Sequence, residues 1–389
     1  MSRFGDGLAT GADLLAAADA ATAQALAPLG GRAPDLVCAF VSGHGAEAVA
    51  AAGERVAARS GAAAMLGCSA GGVIAGARGV EGVTAVAVWA AVLPGVQVRT
   101  FHLEVMAGGP TAAVLGLPLP GDDADEVAVL LGDPWSFPAE GFVSRANAAL
   151  PGLRVVGGLA SGGRGAGSTR LFVDGRVVDR GAVGALVAGS RAVAVVSQGC
   201  RPIGPAMTVT AAAGNVVRGL AGVRAVDKVE AVLRDLPPDD QALASSGLQL
   251  GLAMDEYADD LDYVVRGITG VERETGGIVV GDLVEVGRTV RLQVRDADAA
   301  DADLRALLAR HRSTARDAPS GGALLFSCNG RGAHLFGTSH GGADHDPALV
   351  RRELAAQGVA GFFAAGELGP VGGRNHLHGL TASVLAFPG

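Results

Sequence analysis

Lysine is nearly absent from this chain of 389 residues: Lys228 is the only one among 31 Lys and Arg, which leaves 30 arginines. With no Gly-Lys-Ser or Gly-Lys-Thr anywhere, a phosphate-cradling P-loop is excluded. A Schiff-base enzyme would have to use Lys228, which lies in Ala225–Glu230, a helix-like surface pattern. Aromatic residues make up only 4% while AVILMFWYC make up 49%, so the core must be built mainly of Ala, Val and Leu. A net charge of −8 argues against a nucleic-acid binder, which needs a basic face. Cys38, Cys68, Cys200 and Cys328 show no C-x-x-C spacing and read as reduced thiols of a cytosolic protein. The start of the chain has no basic segment followed by an apolar one, so no signal peptide is expected. The longest apolar run, Val83 to Val96, is broken by Pro94 and falls short of the ~18 residues of a membrane span.

What is abundant is glycine, 61 residues. The Ala, Gly and Arg bias reflects GC-rich coding, so a single glycine carries little structural meaning. Its arrangement carries more. A buried-strand run, Leu36–Val41, is followed by a helical pattern over Ala46–Arg59, a second strand at Ala62–Leu66 and the turn Gly67–Gly72. Strands Thr84–Val92 and Val96–His102 complete the unit. The same order returns as strand Val127–Leu131, helix Ala139–Leu150, strand Leu153–Val156 and turn Gly157–Gly163, followed by strands Leu171–Val173, Val183–Ala188 and Ala192–Gln198. A third copy has strand Ala323–Phe326, helix Pro347–Ala356, strand Val359–Ala364, turn Gly366–Pro370 and strand Thr381–Phe387. Its extra length is assigned to an inserted hairpin, Arg331–Asp346.

Between the second and third copies, helix Val226–Leu233 and strand candidates at Leu248–Met254, Tyr263–Ile268, Gly277–Val280 and Thr289–Val294 precede an amphipathic helix, Ala299–Arg312. This stretch is read as a decayed fourth copy. The expected fold is α/β of the α+β kind: two related domains of repeated strand–helix–strand units, with mixed sheets covered by helices. Residues 1–33 form a leading segment, 34–215 the first domain and 216–389 the second.

Gly67–Ile74 and Ser197–Gly204 resemble the N-terminal half of the FIST sensory family. Phe326–Gly332, Ala360–Phe363 with Gly366–Pro370, and His378–Thr381 are similar to its C-terminal half. The resemblance implies a cytoplasmic ligand-sensing module that is no enzyme, found alone or beside signalling outputs such as histidine kinases and cyclic-dinucleotide enzymes. It implies small-molecule ligands, amino acids or similar metabolites among them; the acidic charge and the lack of an apolar span leave no nucleic-acid or membrane partner expected. One branch of the family implies a haem cofactor and nitric-oxide sensing.

From the residues themselves, the glycine turns are the first site candidates, because outward-facing N–H groups at a strand end can take an anion. They are also ordinary turns in a glycine-rich chain. Gly71, Ser161 and Asn329 belong to these turn regions. Gly67-Cys68-Ser69-Ala70-Gly71 matches G-x-S-x-G, so a hydrolase using Ser69 or Cys68 is an alternative, although Gly72–Gly76 is a poor helix start. Cys68, Cys200 and Cys328 are candidate ligand contacts or buried small apolar residues. Arg201 and Arg331 are candidate anion grips, or, for either, a surface residue or a partner of Glu367. Glu367 follows an apolar strand and needs Arg, backbone N–H groups or a ligand amine. His376 and His378 alternate, so one face of a strand would carry both; His378 or His376 would be the haem ligand, with a structural histidine as the other reading. His340 and His345 with Asp344 and Asp346 form a loose group without zinc spacing.

Overall fold

Apolar runs without polar alternation fit strands covered on both faces, and the computed structural model puts such strands at the centre of three sheets. It describes residues 1–108, 111–121, 125–254, 256, 263–314 and 320–389. Strand β1 (Arg3–Thr10) and helix α1 (Leu14–Leu26) precede the first copy. That copy comprises β2 (Leu36–Ser42), α2 (Ala46–Ser60), β3 (Ala64–Ser69), the hairpin β4 (Gly72–Ala75) and β5 (Arg78–Glu81), and β6 (Ala85–Val92). Strands β7 (Gln97–Gly108) and β8 (Thr111–Leu115) lead to the second copy: β9 (Val127–Gly132), α3 (Ala139–Ala149), β10 (Arg154–Leu159), the hairpin β11 (Leu171–Val173) and β12 (Arg176–Val178), and β13 (Ala182–Ala188). Strand β14 (Val193–Gln198) follows.

The inserted segment has β15 (Cys200–Ala213), β16 (Val216–Leu220), β17 (Val223–Arg224), α4 (Ala225–Arg234), α5 (Pro238–Ser245), β18 (Leu248–Ala253), β19 (Tyr263–Glu272), β20 (Gly277–Val280) and β21 (Thr289–Arg295). After α6 (Ala297–Thr314) comes the third copy: β22 (Ser320–Cys328), α7 (Gly332–Phe336), α8 (His345–Leu354), β23 (Gly358–Ala364), the pair β24 (Glu367–Val371) and β25 (Arg374–His378), and β26 (Thr381–Pro388).

In every copy the first and second strands pair in parallel across the intervening helices, and the last strand returns antiparallel to the first. The hairpin between them leaves its own sheet. The first copy's β4 pairs with β23 of the third, the second copy's β11 with β3 of the first, and the third copy's β24 with β10 of the second. The exchange is cyclic, so no copy completes its sheet alone. One glycine recurs at the same register point: Gly67 opposite Ala39, Gly157 opposite Leu130, Gly361 opposite Leu325. A Cβ at these positions would lie 2.1, 1.9 and 1.7 Å from the opposite carbonyl oxygen. The glycine that all three copies share at close quarters therefore sits in the second strand, not only in the turn after it.

The inner faces of the three sheets meet in one core, where Phe40 stacks on Phe362 with ring centres 5.2 Å apart and both pack on Phe326. Outer faces are covered by α1 and α2, by α3, and by α6 and α8. The mixed α+β class with helix-covered sheets is as expected, and three features differ. Residues 1–33 contribute an edge strand and a helix, with Asp13 Oδ1 accepting from the N–H groups of Leu15 and Ala16 as the helix cap. The insertion at Arg331–Asp346 is the short helix α7 and a 3₁₀ turn rather than a hairpin. The intervening stretch is no fourth copy: its described strand pairs are all antiparallel, so it lacks the parallel crossover.

The chain divides into two compact units, one of residues Met1–Ser197, Asp303–Leu377 and Thr381–Gly389, the other of Gln198–Ala302 and His378–Leu380. These do not divide at 215/216. The hairpin exchange binds all three copies into the first unit, while the antiparallel sheet of β15–β21 with α4 and α5 has its own core, around Leu250, Leu292 and Val229. Among the described residues no helix is long and apolar enough to cross a membrane.

Candidate functional site

The C-terminal ends of β2 and β3 open into a cavity of about 440 Å³. Parallel strands deliver their last residues to the same edge, and the N-terminus of α2 begins there. The α2 N-cap is Gly45, at φ 87°, which supplies no side-chain acceptor for the first-turn N–H groups. Gly45 and Ala46 line the cavity with Ser69 and Gly71 from the first glycine turn. The opposite wall comes from the second copy: Ser161, Gly162 and Gly163.

Hydrogen bonds hold the two turns together. The Gly71 N–H donates to Ser161 Oγ (3.0 Å), and the Ser161 hydroxyl donates to the Phe363 carbonyl of the third copy. The Gly162 N–H donates to the Ser69 carbonyl (3.3 Å), and Ser69 Oγ accepts from the Arg170 N–H (3.0 Å). Gly162 has no room for a side chain, since a Cβ would lie 2.6 Å from the Ala70 nitrogen. Arg164 and His44 are exposed on the same cavity. An uncapped helix start and an exposed arginine on one cavity suit a compact anionic group.

Sequence reasoning found Ser69, Gly71 and Ser161 but missed Ser42, His44, Arg164 and Ser168 of this cavity. His44 stands between two glycines directly after a predicted strand, a legible signal for a strand-end loop. Cys68 belongs elsewhere: its side chain is in the shared core, where burial pushes the thiol well above its ordinary range. Burial likewise pushes the Cys38 thiol up to about 12. The turn after β3 leads into strand β4, so the strand–turn–helix elbow that raises a hydrolase serine is not formed at Ser69.

The strand ends of the third copy are filled instead. Arg331 is fully buried and grips Asp346 in a two-pronged pair, Nε to Oδ2 at 2.8 Å and Nη2 to Oδ1 at 2.9 Å. Asp346 also accepts from the Ser327 hydroxyl (2.7 Å) and contacts His345 Nδ1 (2.9 Å), while the His345 ring stacks on Phe336 at 3.6 Å. Burial opposes this charge, but the Arg331 guanidinium holds the Asp346 carboxyl below the usual carboxylate range. Arg331 is therefore the partner of Asp346, and its fork is not available to grip a ligand anion. Glu367 is equally buried; its Oε2 accepts from the Thr381 N–H (3.1 Å) and hydroxyl (2.8 Å), and Oε1 has no partner of ordinary hydrogen-bond geometry. Burial pushes its carboxyl up to about 8, against the lowering pull of Thr381, the Cys328 thiol and Arg331. Cys328 ends β22 in this cluster, and the N–H of Asn329, which follows it, donates to the Ala364 carbonyl.

Arg201 and Cys200 begin β15 of the second unit, and Arg201 is held there by Asp240 (2.7 Å) and Asp296 (2.8 Å). His376 and His378 both lie on β25, the first half-buried and the second buried. Three described cavities hold about 440, 380 and 640 Å³, and neither histidine lines any of them. Their histidines are His44 and His102, set among serine, arginine and glutamate rather than an apolar wall. The predicted haem ligands thus do not fit a macrocycle in these cavities. Among the described residues no group of His, Cys, Asp and Glu is arranged to hold a metal ion.

Two family models together match most of the chain. The FIST N domain matches residues 35–223 and the FIST C domain residues 225–370. An uncharacterized protein of Mycobacterium tuberculosis strain H37Rv is 42% identical over 388 residues, covering 99% of both chains. An uncharacterized protein of Mycobacterium bovis is 41% identical over 389 residues, 99% of this chain and 98% of its own. The chain belongs to the FIST family, a family of sensory and signal-transduction proteins.

Proposed function

We propose that the protein is a ligand-binding sensor whose first-copy cavity holds a small carboxylate-bearing metabolite, such as an amino acid, and whose occupancy is relayed to a separate signalling enzyme. The observation that carries this reading is the meeting of two glycine turns from different copies at one cavity of about 440 Å³. That volume suits a small organic molecule. The carboxylate would be met by N–H groups of the first turn of α2, with Arg164 closing from the exposed side. Because Ser161 ties the turns to β23, a ligand that draws them together acts on the joint between all three copies. Relay requires that the ligand favour one of two arrangements of that joint, since equal affinity for both shifts nothing. A histidine kinase or cyclic-dinucleotide enzyme in the cytoplasm is the kind of partner proposed. The test is a thermal-shift screen with a panel of carboxylates, from acetate and malonate to free amino acids. A saturable rise in midpoint that Arg164→Ala weakens is expected. No response across the panel at millimolar concentration would overturn the reading.

A further inference from the structure

The second copy's strand ends hold a different chemistry at the equivalent position. Asp133 follows β9 directly, and its side chain is 1% exposed. Its surroundings are fully specified except at one atom. The Asp133 N–H donates to the Gly181 carbonyl (2.8 Å), its carbonyl accepts from the Phe137 N–H (3.0 Å), and its Oδ2 accepts from the Ser136 hydroxyl (2.5 Å). Ser136 Oγ in turn accepts from the Gly181 N–H at 2.8 Å. Asp133 Oδ1 is buried and has no hydrogen-bond partner. A buried carboxylate oxygen left unsatisfied is costly, so it calls for a donor.

Asp133 and Ser136 line a cavity of about 380 Å³ whose other walls are Val105, Gly167, Asp179 and Arg180. Of these, Arg180 is the competing cation, yet its side chain is 77% exposed and its Nε lies 3.3 Å from Asp179 Oδ1. Among the described residues no cation pairs with Asp133 in this cavity. Val105, Asp179 and Arg180 also border the neighbouring groove of about 640 Å³, which gives a chain attached to the bound group room to leave.

We propose that this cavity is a second binding site that takes a primary alkylammonium group, with one ammonium proton donated to Asp133 Oδ1 and the first methylenes against Val105. An ammonium fits better than a guanidinium here, because Oδ2 is already engaged by Ser136 and a two-pronged grip is not offered. It fits better than a metal ion because no group of His, Cys, Asp and Glu among the described residues is arranged to hold one. The site is independent of the first-copy cavity, and its electrostatics are opposite.

The test is isothermal titration of the full chain with n-propylammonium chloride, with propionamide and propionate as neutral and anionic analogues. Saturable binding of propylammonium alone is expected, weakened about tenfold or more by Asp133→Asn, which removes the charge and keeps the shape. Val105→Trp fills the cavity without touching Asp133 and should abolish binding while the thermal midpoint stays close to that of the parent. Equal binding of propionamide, or propylammonium binding that survives both substitutions, would overturn the proposal, as would the absence of saturable binding. Arg164→Ala, in the other cavity, should leave it unchanged, so the two sites fail separately.

Discussion

The first and third copies place the same backbone at their strand ends and do opposite things with it. After β2 and β3 two glycine turns and an uncapped helix start surround open space. After β22 the insertion that carries α7 delivers Arg331, and the start of α8 delivers Asp346, so the equivalent region is closed by a buried ion pair. The difference teaches that a repeat fixes where a pocket is formed, while a few side chains decide whether it stays open. The third copy closes the equivalent region with this ion pair.

That contrast can be broken most severely at the ion pair. Arg331→Ala leaves Asp346 buried without its cation and should lower stability by about 3–5 kcal/mol in urea unfolding. The pair Arg331→Met with Asp346→Leu should recover most of this loss. A single substitution costing under about 1 kcal/mol would mean the joint is held by something else.

The next largest effect is pH-dependent and again specific to the third copy. Glu367 has its carboxyl pushed from an ordinary 4.5 to about 8, so the folded state binds a proton that the unfolded chain releases. Its contribution is fully present below about 4.5 and is lost as pH rises toward about 8, at roughly 1 kcal/mol per pH unit. Asp346 has the opposite sign: its depressed carboxyl contributes above the ordinary 3.8 and is lost as pH falls below it. Glu367→Gln should flatten the decline between pH 5 and 8, as measured by urea midpoints. An unchanged slope would remove Glu367 as its source.

At the open site the effects are smaller and fall on binding. Gly162→Ala drives a Cβ against backbone at 2.6 Å and should cost about 1–3 kcal/mol, with loss of the carboxylate response. Gly71→Ala, whose Cβ would meet the Ser161 carbonyl oxygen at 3.3 Å, should be milder; the reverse order would show that the turns meet differently. Smallest of all, Arg201→Ala in the second unit removes a part-exposed guanidinium and should cost at most about 1 kcal/mol, less at high salt.

Much of the fold was legible because its signals are local. Leu36–Val41, Val127–Leu131 and Ala323–Phe326 read as buried strands and lie within β2, β9 and β22. The hairpin β4–β5 was not legible, because Gly72–Glu81 shows neither alternation nor a long apolar run and its partner, β23, lies almost 300 residues away in the chain, with Val73 opposite Phe362. Of the candidate site, Ser69, Gly71 and Ser161 were visible as turn residues, but Arg331 was misassigned. Its type and position allowed a ligand contact equally well, and only Asp346, brought close by α7 and α8, settles it.

The sequence by itself determined the repeated strand–helix–strand units, the FIST resemblance, and a chemistry without lysine or P-loop, since each rests on residue type and short-range order. Tertiary structure alone decided which copy's hairpin completes which sheet, which strand ends remain open, and which charged groups are spent on each other. Those outcomes depend on pairing between distant segments and on desolvation, and neither leaves a trace in local sequence.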